Sequence, residues 1–339
     1  MKLINPSVEL IQQQPNIVGM YKHIERCART CYKSEEGITE NSYKKLCDKL
    51  IKAGHLAMFE HGTVYLYYKE CCYSNEDIAF MNKYKSNPYT KVISLGCDDT
   101  RYPDGTFHDI MGGSATGDCE YVITTNLRVI IENHWEDDLQ YICEPTEFHE
   151  KRITLKFTTN IGVTREGNRH RTFPEPQEFS VAEESTRYCN YNTDKFDNSI
   201  KFTLPVWIDK NSTEILACRD AETESKLYSG IISNLTEEEL NWTPIDWYLY
   251  ALSTSAYAYK NLINLGWSPQ QAREVLPLAT KSEIVYTAFA SDWKHWFDLR
   301  LLGTTGKPHP NMEQIARLAK EELVKNNLWN IIYPENERN

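Results

Sequence analysis

The amino-acid sequence predicts an α+β fold, and three observations carry that prediction. Residues 152 to 159, "RITLKFTT", alternate strictly, with Ile153, Leu155 and Phe157 on one side, the period of a half-buried strand. From residue 243 onward the chain instead repeats the grammar of capped helices. Strands and loops come first and a helical C-terminal half follows, rather than a regular strand–helix alternation.

The elements follow in order. "MYKHIERCARTCYKS" reads as a helix with Ile24, Cys27, Ala28 and Cys31 on one stripe. In "TENSYKKLCDKLIKAGH" Thr39 is placed to cap, Leu46 and Leu50 face inward and Gly54 stops the helix. "VYLYYK", 64 to 69, is a short strand. Between about 74 and 119, "SNPYTKV", "CDDTRYPDG" and "MGGSATGD" are turn signals with weak periodicity, so this stretch reads as a loop-rich surface insertion on one domain spanning 1–339. "YVITTNLRVII", 121 to 131, is apolar enough for strand or helix, and its periodicity does not choose. In "TPIDWYLYALSTSAYAYKNLINLG" Thr243 is the N-cap, Pro244 the first helical residue and Gly266 the stop. "SPQQAREVLP" repeats this with Ser268 and Pro269. "TKSEIVYTAFASDWKHWFDLRLL" opens with capping-box spacing, Thr280 to Glu283, and reads as the last helix.

Composition narrows the function. Length and 41% hydrophobic content suit an ordinary globular core. A net charge of -11 opposes broad nucleic-acid binding, which needs a continuous basic surface. The N-terminal stretch shows no signal-peptide pattern and no run reaches the apolar length of a membrane span, so a cytoplasmic location without membrane partners is expected. Ten cysteines show neither a disulfide framework nor a CxxC pair; buried thiols and no metal site are expected.

Against that acidic balance, "NRHRTFPEPQEFSVAEESTRYCNY", 168 to 191, concentrates Arg169, His170, Arg171 and Arg187. In "TREGNRHRT", Arg165 and Arg169 share a helical face until Pro174 and Pro176 end it. Arginine's planar fork suits phosphate, although a solvated basic face explains the cluster about as well.

The "RHR" triplet, the downstream "ESTRY", the upstream "GHLAMFEH" and "RCARTCYKS", and the late "QAREVLP" and "FDLR" together resemble the flavin-dependent thymidylate synthases, over roughly 20 to 70 and 150 to 320. Thirteen residues, 172 to 184, separate Arg171 from Ser185, so "TFPEPQE" contains a short insertion relative to the family's signature. The resemblance implies an antiparallel or mixed sheet flanked by helices. It implies conversion of dUMP to dTMP with FAD, methylenetetrahydrofolate as carbon donor and NADPH as electron source, in a homotetramer with shared active sites. Arg169, His170 and Arg171 would contact the flavin, as would His55, Glu183 and His295. Arg169, Glu183, Ser185, Thr186, Arg187 and Arg273 would bind dUMP, Arg273 at the phosphate. Arg300 would meet the uracil ring and favour its N3-ionised form. Ala57, Glu166, Phe289, Ser291 and His295 depart from the family's polar pattern near these contacts.

The chemistry stands beside the resemblance. Pyrimidine C5 is a poor nucleophile, and electron density reaches it by covalent addition of a cysteine at C6 or through a reduced flavin. A cation against the ring oxygens or N3 stabilises the anionic ring in a dry site. Arg300 falls on the stripe of Phe289, Trp293 and Trp296, where an arginine either snorkels outward or meets a buried anion. No His–Asp pair is visible to activate Ser185, so a hydroxyl donor is expected rather than a nucleophile. Cys189, four residues on, reads as a packed thiol. The other readings are a relative that binds flavin or nucleotide without methyl transfer, and an RNA- or phosphate-binding protein using the Arg169–Arg171 patch.

Overall fold

A computed structural model describes residues 1–71, 75–95, 118–168, 179–209 and 243–334. Its centre is an antiparallel four-stranded sheet, in the order β2 (Ser7–Leu10), β6 (Arg152–Asn160), β9 (Lys281–Phe289), β7 (Ser180–Glu183). A second antiparallel sheet is ordered β3 (Thr63–Cys71), β5 (Asp118–Asn126), β4 (Lys91–Leu95). β1 (Lys2–Ile4) and β8 (Lys201–Thr203) form a parallel pair. The expected α+β class holds.

β6 keeps the predicted alternation: Ile153, Leu155 and Phe157 join the core on one face, against Ile284, Tyr286 and Ala288 of β9. α8 (Ala290–Phe297) and α9 (Pro310–Lys325) cover this face with Trp293, Trp296, Met312 and Ala316. The opposite face receives α1 (Ile17–Tyr32), whose Cys27 packs with Val285 and Ala182. α2 (Ser42–Lys52), α3 (Asn75–Lys85) and α4 (Leu127–Glu132) pack with the second sheet. Leu50 is buried as expected, and Gly54 takes a left-handed φ of 69° beyond α2; Asn41, not Thr39, stands at the N-cap. α6 (Pro244–Asn264) has the predicted Thr243 cap and Pro244 start, completed by Asp246, and Gly266 at φ +97° stops it. α7 (Pro269–Ala272) and α10 (Trp329–Ile332) are single turns.

Three expectations are corrected. The stretch from 280 is not one helix: 281–289 is β9, at the centre of the sheet. Every residue of β9 is buried, so both faces carry apolar or paired side chains and the period of two disappears. The C-terminal half is therefore helical around a strand, and Glu283 binds lysines instead of capping. Second, the supposed loop insertion contributes α3 and β4, with β4 pairing along β5; residues 96–117 lie outside the described residues. Third, "TREGNRHRT" does not start a helix of its own: α5 (Ile161–Gly167) begins earlier, capped by the Asn160 side chain, and includes Arg165. The ambiguous 121–131 stretch is both, strand to Asn126 and helix from Leu127.

Candidate active site

The second half of the arginine-rich signature lies where β7 leaves the sheet. Strand alternation sends Glu183, the last residue of β7, and Glu184, just after it, to opposite faces. Glu183 accepts a hydrogen bond from Ser282 Oγ at 2.8 Å, while buried Glu184 accepts from Tyr191 Oη at 2.9 Å and Lys281 Nζ at 2.5 Å. The chain then turns tightly: Ser185 N–H donates to the Cys31 carbonyl at 2.9 Å, and the Ser185 carbonyl accepts from the N–H of Cys189 at 2.9 Å. Arg273, in the turn after α7, donates from Nη1 to Thr186 Oγ1 at 3.3 Å. Arg187 is exposed, with its guanidinium 5.4 Å from the Tyr188 ring centre; that ring lies 5.3 Å from Tyr32. Ser185, Thr186, Arg187 and Arg273 are thus gathered around one turn. Among the described residues no histidine is hydrogen-bonded to Ser185.

Tyr32 and Cys31, which touch this turn, also line a cleft of about 420 Å³. Leu46, Leu50, Leu56 and Met58 supply apolar wall, and Arg29, His55 and Arg128 supply polar rim. His55 and Ala57 are exposed here, at the start of a 3-10 turn (Leu56–His61). Arg29 is tied to Glu25 at 2.8 Å and Arg128 to Glu60 at 2.5 Å, which holds both guanidinium groups in place. An apolar wall under a cationic rim suits a flat ring with an anionic tail.

Arg300 does not snorkel outward; it meets an anion, but one that belongs to the chain itself. It stands in a π-helical turn (Asp298–Leu302) after α8, whose wider winding breaks the stripe begun by Trp293 and Trp296. Its Nη1 donates to Glu166 Oε1 at 3.0 Å and its Nη2 to the Glu166 carbonyl at 3.0 Å. The anion it meets in this structure is internal. Next to the pair, Tyr286 Oη donates to Asn168 Oδ1 at 2.7 Å. Burial and the charge of Glu183 push the Tyr286 hydroxyl well above its ordinary pKa, so it remains a donor. A Cβ on Gly167 would lie 2.8 Å from that hydroxyl, so only glycine lets the end of α5 approach it. Tyr286 and Asn168 are site neighbours that the sequence reading missed. Tyr286 was hidden by the helix assignment, and Asn168 had only its place beside the triplet.

Other expected residues are not brought into these contacts. Arg169, His170 and Arg171 lie outside the described residues. His295, half-buried on α8, has no hydrogen bond or ion pair to any of these groups among the described residues. Phe289 is buried under the Arg152 guanidinium at 5.5 Å, and Ser291 donates to Glu150 Oε1 at 2.5 Å. Cys27, Cys31, Cys47, Cys143 and Cys189 are free, and burial pushes the thiols of Cys31 and Cys189 up to about 11 and about 12. Neither offers a thiolate near neutral pH. No group of potential metal ligands occurs among the described residues, and none of their helices is long and apolar enough to cross a membrane.

The sequence profile described as "Thy1: Thymidylate synthase complementing protein" matches residues 127–326. No curated protein sequence matches the chain. Among solved structures, the chain is similar to a UMP/dUMP methylase PolB from Streptomyces cacaoi, solved with 5-Br dUMP and with 5-Br UMP. Each likeness has 14% identity, covers 98% of this chain and 95% of that one, and has a TM-score of 0.39.

Proposed function

The chain belongs to the thymidylate synthase complementing protein family, and from that premise we propose that it is a methyltransferase converting dUMP to dTMP, with FAD, methylenetetrahydrofolate and a reduced nicotinamide. The observation that best supports this reading is the turn at 185–187 with Arg273 against Thr186. It combines a guanidinium, hydroxyls and backbone N–H groups, the donors a nucleotide phosphate needs. Arg273 would hold the phosphate, with Thr186 orienting its fork and Ser185 adding a hydroxyl donor.

The ring end of the nucleotide would meet Arg300, whose guanidinium stabilises negative charge at the pyrimidine oxygens or N3. Tyr286, kept protonated, sits beside it as a neutral donor. The cleft at His55 fits a flavin in its chemistry, and Tyr32, His55 and Arg128 would hold one there. A bound reduced flavin would supply the electron pair that replaces cysteine addition, which accords with the un-ionised Cys31 and Cys189. Assembly as a homotetramer with shared sites, and a cytoplasmic location, belong to the same proposal.

The Glu166–Arg300 pair favours a second reading, a relative that binds nucleotide without methyl transfer, because Arg300 is already neutralised. One experiment separates them. Purified protein given FAD, methylenetetrahydrofolate, NADPH and C5-tritiated dUMP should release tritium and form dTMP. Saturable dUMP binding without tritium release supports the second reading. Retention of RNA at moderate salt without nucleotide binding removes both.

A further inference from the structure

On the α1 face of the central sheet, next to the 185–187 turn, lies a cleft of about 520 Å³ that the proposed reaction does not use. Three lysines from separate elements converge on it: Lys33 after α1, Lys156 on β6 and Lys281 on β9. All three are largely buried, with side chains 18%, 11% and 9% exposed. They are held by Glu283, whose carboxylate lies 2.8 Å from Lys33, 2.5 Å from Lys156 and 2.7 Å from Lys281. The lysines keep that carboxylate ionised far below the usual range, although burial opposes it. Lys33 adopts a left-handed φ of 49°, a conformation unfavourable for a residue that carries a side chain. Its ammonium thereby bridges Glu35 and Glu283.

Two further features make this more than a structural ion cluster. Ser199 and Thr280 line the cleft, are 6% and 1% exposed, and have hydroxyls with no hydrogen-bond partner among the described residues. A buried unpaired hydroxyl is costly, and it is retained where something else completes it. Six cations also line the cleft. Arg26, Lys195 and Lys201 join the three lysines, held by Glu35, Glu36 and Glu283 in the cleft and by Glu9, Asp197 and Glu184 beside it.

We propose that this cleft is a second binding site, for a phosphorylated small molecule, distinct from the nucleotide site on the 185–187 turn. Each ammonium has three N–H groups, and the carboxylates leave donors over; with the two hydroxyls they match the several acceptor oxygens of a phosphoryl group. A carboxylate ligand would only repeat what Glu283 and Glu35 already do.

The test does not depend on the proposed reaction. Inorganic pyrophosphate is titrated calorimetrically into the full chain, into Ser199→Ala/Thr280→Val, and into Arg273→Ala. Removing unpartnered hydroxyls should leave the melting temperature equal or higher, yet weaken pyrophosphate binding at least tenfold. Arg273→Ala should retain the cleft's binding event. Lys195→Gln/Lys201→Gln, which changes only the partly exposed cations, should weaken binding and flatten its salt dependence. Absence of saturable binding, an affinity unchanged in the hydroxyl variant, or malonate binding as tightly as pyrophosphate would overturn the assignment.

Discussion

Arg300 shows how one contact alters the reading of a residue. Its guanidinium is bound by a side-chain and a main-chain oxygen of Glu166, so the proposed nucleotide ring would compete there with an internal carboxylate. Glu166→Gln keeps the shape and removes the charge; it should tighten dUMP binding several-fold in a calorimetric titration, and an unchanged or weaker affinity would show that Glu166 does not compete. Arg300→Ala removes a charge-assisted contact to a developing anion, a loss on the order of 3 kcal/mol or about a hundredfold in dTMP formation, with the fold retained. Near wild-type turnover would take Arg300 out of the mechanism. Cys189 has the opposite expectation. It is 2% exposed and its thiol is pushed up to about 12, so Cys189→Ser should keep activity. A stable cysteine adduct with 5-fluoro-dUMP in mass spectra would contradict the flavin route.

At the scale of elements, α1 and the turn ending at His61 are docked on the sheet by a buried polar chain. His23 Nε2 lies 3.1 Å from Thr154 Oγ1, Thr154 Oγ1 lies 2.8 Å from Thr287 Oγ1, and Thr287 Oγ1 lies 2.8 Å from His61 Nδ1. Burial holds His23 down to about 4 and His61 to about 3, with the charge of Arg152 adding to both. Both are neutral in the fold at pH 7. Below about pH 6.5 the unfolded chain takes up these protons and the folded chain does not, so stability falls with falling pH and levels off only below the folded values. Between pH 7 and pH 4 the loss should be roughly 3 kcal/mol for each histidine. Urea midpoints at the two pH values measure it, and His61→Gln should make the decline shallower. An equally steep decline in that variant would assign the acid sensitivity to other groups.

At the scale of the molecule, the candidate nucleotide turn and the His55 cleft meet at Cys31 and Tyr32, so α1 links the two proposed ligands. Ala57 and Phe289 offer no hydrogen-bonding side chain, and Ser291 is occupied by Glu150. Each hydrogen bond lost to a cofactor weakens binding by roughly 1 kcal/mol. FAD should therefore bind saturably but weakly, and the protein should purify partly empty. Titrating FAD into stripped protein while following flavin fluorescence checks this; absence of saturable binding with or without dUMP would leave the nucleotide-binding relative as the better reading. Light scattering of the same sample should report a tetramer.

What the sequence determined by itself was whatever rests on local chemistry. The strand at 152–159 was legible because one face alternates, and α6 because Thr243, Pro244 and Gly266 act within a turn of where they stand. The signature turn at 185–187 was legible as a motif for the same reason. Tertiary structure decided what depends on partners distant along the chain. The central strand at 281–289 is buried on both faces, which erases its period, and the same "TKSE" spacing that suits a helix cap is used there to place Lys281 and Glu283. Glu166 and Arg300 are 134 positions apart, and nothing local marks them as a pair. Lys33, Lys156 and Lys281 likewise look like scattered surface charge until the sheet and α1 bring them to one carboxylate, because only packing removes the water that would otherwise screen them.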